Sequence, residues 1–194
     1  MSELILASTS PYRRQLLERL GVPFRAVAPT VDEAAIQAQF DAASAADLAE
    51  HLATAKALSV SRQEPDATII GSDQVCVCDD RILNKPGTAE AAADQLAFLA
   101  GKTHRLITAV CIWQAGATLW HCDVTTLTML PLSREQIDRY VATDQPLDCA
   151  GSYKLESRGI ALFEAIQSAD HSAITGLPLL AVARLLRQLD RSIP

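Results

Sequence analysis

Arg13 and Arg14 fall in what reads as the first turn of a helix, where the macrodipole already carries positive charge. Two cations there cost a few tenths of a kcal/mol to about 1 kcal/mol, and a bound anion reverses the sign. Ser8, Thr9 and Ser10 stand just ahead with three hydroxyls. The free N–H groups of a helix start point the same way, so strand, serine-rich loop and helix start together make an anion site. Two solvated arginines are the alternative. Lys56 follows Leu48 and Leu52 at four-residue steps, on the apolar stripe of a long helix. A lysine holds such a place by snorkelling to water or by reaching an anion. Asp73 closes an apolar strand beside Gly71, and ligands in α/β sheets collect at the carboxyl ends of strands; a turn-forming aspartate is the alternative. Gln74 follows it with an amide donor and acceptor. Lys85 precedes Pro86, which biases it to extended geometry. With Glu33, these residues are the kit for metal-assisted attack of water on a phosphoryl group. Carboxylates hold a hard divalent ion, Mg²⁺ or Mn²⁺. One carboxylate takes the proton of the water. Arginine and lysine neutralise the charge that develops on the phosphates.

The elements that must position these groups are legible from pattern. Glu3–Ala7 reads as a strand. Ser10 and Pro11 then start a helix, whose inward face holds Leu16, Leu17 and Leu20 and which Gly21 ends. Phe24–Ala28 reads as a second strand, and Pro29–Glu33 as a loop. A long helix is expected from about Ala45 to Arg62. Ala67–Asp73 reads as an apolar strand that Val75–Cys78 continues after a break. A turn at Asp79-Asp80 leads to Asn84-Lys85-Pro86, and Thr88 caps a helix ending near Gly101. His104–Gln114 and Thr118–Leu130 are strand-like runs joined by Ala115-Gly116-Ala117, a hairpin. Ser133 and Gln136 make a capping box for a helix to about Thr143. A loop over Cys149–Gly159 leads to a strand at Ile160–Ile166 and a last helix at Pro178–Leu189. The expected class is α/β: a mixed twisted sheet with flanking helices, in two lobes around a central cleft.

The chain of 194 residues fits a single domain spanning the whole sequence, and it can bury a core. No apolar run reaches the ~18–20 residues that span a bilayer, and Leu4–Ala7 is too short for a signal sequence, so a cytoplasmic address without membrane contact is expected. Net charge is −6, which argues against a sequence-independent binder of nucleic-acid polymers. The five cysteines contain no C-x-x-C pair, and Cys76 and Cys78 read as small buried hydrophobes on one side of a strand. The four histidines show no zinc spacing. No G-x-x-x-x-G-K-[ST] loop, G-x-S-x-G elbow or G-x-G-x-x-G turn occurs. The hairpin over residues 104–130 offers a surface for a homodimer.

Taken in order, Leu4–Arg14, Val31-Asp32-Glu33, Lys56, Gly71-Ser72-Asp73-Gln74, Asn84-Lys85-Pro86, Cys149-Ala150-Gly151-Ser152 and Gly176-Leu177-Pro178-Leu179 resemble the Maf family of nucleotide pyrophosphatases over nearly the whole chain. The resemblance implies cleavage between the α- and β-phosphates of a small-molecule nucleotide, a divalent metal and an α/β fold with a cleft. It implies Asp73 as proton acceptor and Glu33 as metal ligand or assisting acid, the two being the candidate metal pair. Lys56 and Lys85 join them in the catalytic set. Ser8, Ser10, Arg13 and Arg14 are implied to contact phosphates or hold the site, Arg14 at a position not always basic among relatives. Tyr12, Gln74 and Glu156 fall where substrate is sorted. The combination of Tyr12 and Glu156 resembles the 7-methyl-GTP branch. An aromatic face attracts the cationic methylated base by roughly 1–2 kcal/mol when desolvated. A carboxylate accepts from the guanine N1–H and amino group. The alternatives are a surface Tyr12 with Glu156 paired to Lys154, dTTP or UTP as substrate, and a non-catalytic nucleotide sensor in cell division.

Overall fold

The computed structural model describes residues 2–41 and 43–193. Its frame is a seven-stranded mixed sheet in the order β2-β1-β3-β5-β6-β7, with β4 paired to β3. The strands are β1 (Leu4–Ala7), β2 (Arg25–Val27), β3 (Thr68–Cys78), β4 (Arg81–Leu83), β5 (Thr103–Gln114), β6 (Ala117–Met129) and β7 (Phe163–Gln167). β1, β2 and β3 are parallel, while β4, β5, β6 and β7 join antiparallel. β3 is the spine. On one edge β5 accompanies it without interruption from Thr68↔Gln114 to Val77↔Arg105. The break expected near Gln74 is therefore absent from the strand itself.

The break lies on the other edge. β1 pairs with β3 only as far as Ala7↔Gly71, and β4 begins at Cys76↔Leu83. Ser72–Val75 lie between these two partners, so the sheet forks there. The chain leaving β1 turns at the fork into α1 (Pro11–Glu18). Asp73 therefore sits inside a split sheet, which gives the cleft its two sides.

Side chains alternate across β3, as a pleated strand requires. Ile69, Val75 and Val77 face α3 (Ala45–Ser61) and form a core with Ala49, Ala53, Ala57, Ile107 and Ala109. Ile70 faces the other way, against Leu16 and Leu17 of α1 and Val182 and Leu186 of α7 (Leu179–Gln188). Farther along that second face, Cys76 and Cys78 pack among residues of α4 (Ala89–Leu99) and α5 (Arg134–Asp144), as buried small hydrophobes. The α5 capping box is complete: Ser133 Oγ accepts from Gln136 N (3.3 Å), and Gln136 Oε1 accepts from Ser133 N (2.8 Å).

Four short elements depart from the expected pattern, the first being β4, which pairs with β3 where only a turn was expected. α2 (Glu33–Gln37) replaces the end of a loop, because Asp32 caps it through Oδ1 and Ala35 N (3.0 Å). α6 (His171–Ile174) is capped by Asp170, whose Oδ1 accepts from Ser172 N (2.9 Å). The last strand starts at Phe163, since Arg158–Leu162 winds into a 3₁₀ turn. A Cβ at Gly159 would overlap the Lys154 carbonyl at the base of that turn, so the chain closes there only through glycine. Among the described residues no helix is long and apolar enough to cross a membrane.

Gly71 sets the distance between α3 and the sheet. A Cβ at that position would overlap the Ala53 carbonyl oxygen and stand 2.8 Å from the Ala57 nitrogen. Both atoms are backbone, so neither yields without moving the helix. Gly71→Ala is expected to lower unfolding free energy by about 1–3 kcal/mol, the usual cost of overpacking a core. Urea denaturation measures it.

Candidate active site

A cleft of about 610 Å³ opens at the fork. That size suits a small organic ligand. Its walls come from the β1–α1 turn, from α2, α3 and β3, from the segment after β4, from the loop at 148–156 and from the end of α6.

At the base lies a buried ion pair. Lys56 Nζ is 2.5 Å from Asp73 Oδ1 and 2.8 Å from Glu33 Oε1. Lys56 is only 5% exposed and Asp73 only 6%. The lysine on the apolar stripe thus reaches a buried anion instead of snorkelling to water. The local sequence explains the meeting. Lys56 stands between Ala53 and Ala57, the two residues that touch Gly71, while Asp73 is two positions on and points to the same face. Glu33 arrives from the first residue of α2, where a helix start favours negative charge. Burial pushes the Glu33 carboxyl up, but Lys56 foremost, then Lys85 and Arg13, hold it below the usual glutamate range. Truncating one partner of such a buried pair typically costs about 3–5 kcal/mol, because the other charge is left uncompensated.

Arg13 enters from α1. Its Nε donates to the Gly176 carbonyl (2.9 Å). Burial pulls its affinity for the proton down, and Asp73 and Glu33 oppose that pull. Ser10 caps α1 by accepting from Arg13 N (3.4 Å), and Ser8 Oγ accepts from Ser10 N (3.1 Å). Both hydroxyl protons remain as donors. Lys85 is exposed on the opposite side of the cleft, after β4.

The second face of β3 holds a polar network that sequence reasoning missed. Ser72 Oγ shares its proton between the carbonyls of Ala109 (2.8 Å) and Gly176 (2.9 Å). Gly176 therefore accepts from both Ser72 and Arg13. Its φ of +103° suits only glycine. Gln74 Nε2 donates to Thr108 Oγ1 (2.9 Å) and to the carbonyls of Ala173 (2.9 Å) and Ile174 (3.0 Å). The amide donors of Gln74 thus tie α6 to the sheet. The only local signal for this network was the polar triplet Ser72-Asp73-Gln74 inside an apolar strand.

The far end is built from the loop after α5. Tyr12 lies beside Lys154, and burial raises its phenol while that ammonium lowers it. Lys154 pairs with Asp148 (3.2 Å). Glu156 is exposed on the rim with no ion-pair partner among the described residues, so the Glu156–Lys154 pair does not form. Lys154 N donates to the Tyr140 hydroxyl (2.9 Å), which fastens the loop to α5. Gln95 bridges two walls: its Nε2 donates to the Asn84 carbonyl (2.8 Å) and its Oε1 accepts from Ser152 Oγ (2.7 Å). The Cys149 thiol is pushed up to about 12 by burial, with Asp148 adding to it, which removes it as a nucleophile at neutral pH.

Ser8, Ser10, Tyr12, Arg13, Glu33, Lys56, Asp73, Gln74, Lys85 and Glu156 all line this one cleft. Arg14 is exposed and outside the lining. Among the described residues no group of three or more histidine, cysteine, aspartate or glutamate side chains converges as an all-protein metal cage. The donor set still fits Mg²⁺ or Mn²⁺, which take one or two carboxylates and complete their shell with water and phosphate oxygens. Asp73 and Glu33 already place one oxygen each around a single cation, the Lys56 ammonium.

The family model described as Maf-like protein matches residues 3–189. The chain belongs to the Maf family. It is 46% identical over 189 residues to a 7-methyl-GTP pyrophosphatase of Bdellovibrio bacteriovorus, covering 97% of each chain. It is 47% identical over 194 residues to a protein of the same name from Xanthomonas axonopodis pv. citri, covering both in full. A Pseudomonas putida protein of that name is 39% identical over 196 residues, again at full coverage of both chains.

Tyr153 lines the cleft of this Maf protein and is hydrogen-bonded to buried His104 (2.9 Å). Burial lowers His104 from 6.5 to about 4. The unfolded chain thus binds a proton near pH 6.5 that the folded chain refuses until about pH 4. Stability from this group is complete above pH 6.5 and declines as pH falls to 4, by about 3 kcal/mol in all. His104→Gln, which does not titrate, is expected to show a shallower loss across that window in urea midpoints.

Proposed function

We propose that this Maf protein hydrolyses the α–β phosphoanhydride bond of a nucleoside triphosphate, with 7-methyl-GTP as preferred substrate and 7-methyl-GMP and diphosphate as products. The observation that carries the proposal is the buried Lys56–Asp73 pair, joined by the exposed Glu33, at the base of a cleft that Arg13 and Lys85 also line. Full-length relatives named 7-methyl-GTP pyrophosphatase support the same activity. Asp73 takes the proton of the attacking water, and Glu33 assists. Arg13, Lys56 and Lys85 neutralise charge on the phosphates, and the hydroxyls of Ser8 and Ser10 donate to their oxygens from the start of α1. Arg14 has no part in this arrangement. Glu33 and Asp73 would hold a divalent ion, which supplies further neutralisation of the polyphosphate. A small-molecule nucleotide substrate supports a cytoplasmic place for the enzyme. Exposed Trp120 and Val124 on β6 support a homodimer through the β5–β6 hairpin.

Base selection falls to the far end. Tyr12 offers an aromatic face, and Asp148 compensates the neighbouring Lys154. Glu156 then leaves a net negative charge for a cationic base, and its oxygens can accept from guanine N1–H and the amino group. Gln74 contributes by holding α6 in place.

Diphosphate release from a panel of 7-methyl-GTP, GTP, dTTP and UTP tests the assignment. The methylated nucleotide is expected to show the highest kcat/KM, and equal or better turnover of dTTP overturns the base selection. Asp73→Asn is expected to lower kcat about 10²- to 10⁴-fold, the range of a general base, while nucleotide still binds. Release of orthophosphate in place of diphosphate would mark a different bond. Tyr12→Ala is expected to reduce the preference for 7-methyl-GTP over GTP roughly 5- to 30-fold, with unmethylated turnover changed less.

A further inference from the structure

The ammonium of Lys56 already sits between the two carboxylates that a divalent ion would need, at 2.5 Å from Asp73 and 2.8 Å from Glu33. We infer that Lys56 is the resident cation of the ligand-free site: it denies Asp73 and Glu33 to a bare divalent ion and yields them only when a polyphosphate arrives with the metal. The inference rests on the metal-assisted reaction proposed above and adds an order of binding to it.

Charge supplies the reason. At the base of the cleft two carboxylates face three cations, Lys56, Arg13 and Lys85, all close enough to act on Glu33. A divalent ion entering alone would raise the excess of positive charge in a partly buried place, where like charges are poorly screened. The same ion entering on a triphosphate turns the balance negative, and the three side-chain cations then have an anion to follow. Lysine suits this exchange. Its ammonium is a compact point charge with three donors on a flexible four-carbon stem, so it can leave a carboxylate for a phosphate oxygen without moving its helix. Arginine in the same place would be a wider and stiffer fork.

Equilibrium dialysis of Mn²⁺ against the full chain tests this without any turnover. Wild type is expected to retain Mn²⁺ poorly when alone, and well when 7-methylguanosine triphosphate with a methylene in place of the α–β bridging oxygen is present. Lys56→Gln keeps a hydrogen-bond donor for Asp73 but removes the charge. It is expected to bind Mn²⁺ alone at least about tenfold more tightly than wild type, and to gain thermal stability on adding Mn²⁺. Lys56→Arg, which keeps the charge, is expected to stay as closed to bare Mn²⁺ as wild type; circular dichroism checks that each variant is folded. Wild type holding Mn²⁺ alone as tightly as Lys56→Gln overturns the role given to Lys56. Diphosphate release from 7-methyl-GTP in excess chelator at the rate seen with Mn²⁺ overturns the metal-assisted reaction itself.

Discussion

The contact between Gly71 and the backbone of α3 is the constraint on which the site depends. Because no side chain separates strand from helix there, Ala53 and Ala57 touch β3 directly. Lys56, between them, is thereby delivered to Asp73 inside a core where a lone charge of either sign would be costly. The pair is a poor device for stability, since apolar side chains of similar volume usually serve that end as well or better. Its presence in a core otherwise made of alanine, valine, isoleucine, leucine and cysteine agrees with a chemical use for it.

The fork in the sheet makes that pair reachable. β3 is covered on one edge by β5 along its length, yet on the other edge β1 stops at Gly71 and β4 starts at Cys76. A strand in the middle of a sheet is normally closed to ligands on both edges. Here four residues are left between two partners, and the turn from β1 into α1 brings serines and Arg13 to the gap. The two faces of β3 then do different work. Asp73 faces α3 and the cation, whereas on the other face Ser72 donates to the Gly176 carbonyl that also accepts from Arg13, and Gln74 donates to the carbonyls of α6. One tripeptide thus places Asp73 in the cleft and, through the Gly176 carbonyl, orients Arg13.

Local chemistry was readable where it was decided locally. Ser10 with Pro11 announced α1, and Ser133 with Gln136 announced α5, because a cap is a contact between residues three apart. The long strands and α3 followed from apolar periodicity. The short elements escaped for the same reason. A five-residue α2 and a four-residue α6 have too few turns for a periodicity to show, and their caps, Asp32 and Asp170, look like ordinary loop residues in sequence. The 3₁₀ turn at Arg158–Leu162 is dictated by a steric contact between Gly159 and Lys154 and leaves no pattern to read.

The sequence by itself determined the inventory: two acids, a set of cations, a serine-rich helix start, and an order of motifs specific enough to indicate the Maf family. Residue type and short spacing suffice for that, because caps, strand ends and family motifs are local. Only the tertiary structure decided which of these groups meet. It set Lys56 against both Asp73 and Glu33, left Arg14 outside the cleft, gave Lys154 to Asp148 in place of Glu156, and turned the amide donors of Gln74 toward α6. Those outcomes depend on register, on the forked sheet edge and on the close approach at Gly71, which are relations between distant segments that no stretch of the chain carries alone.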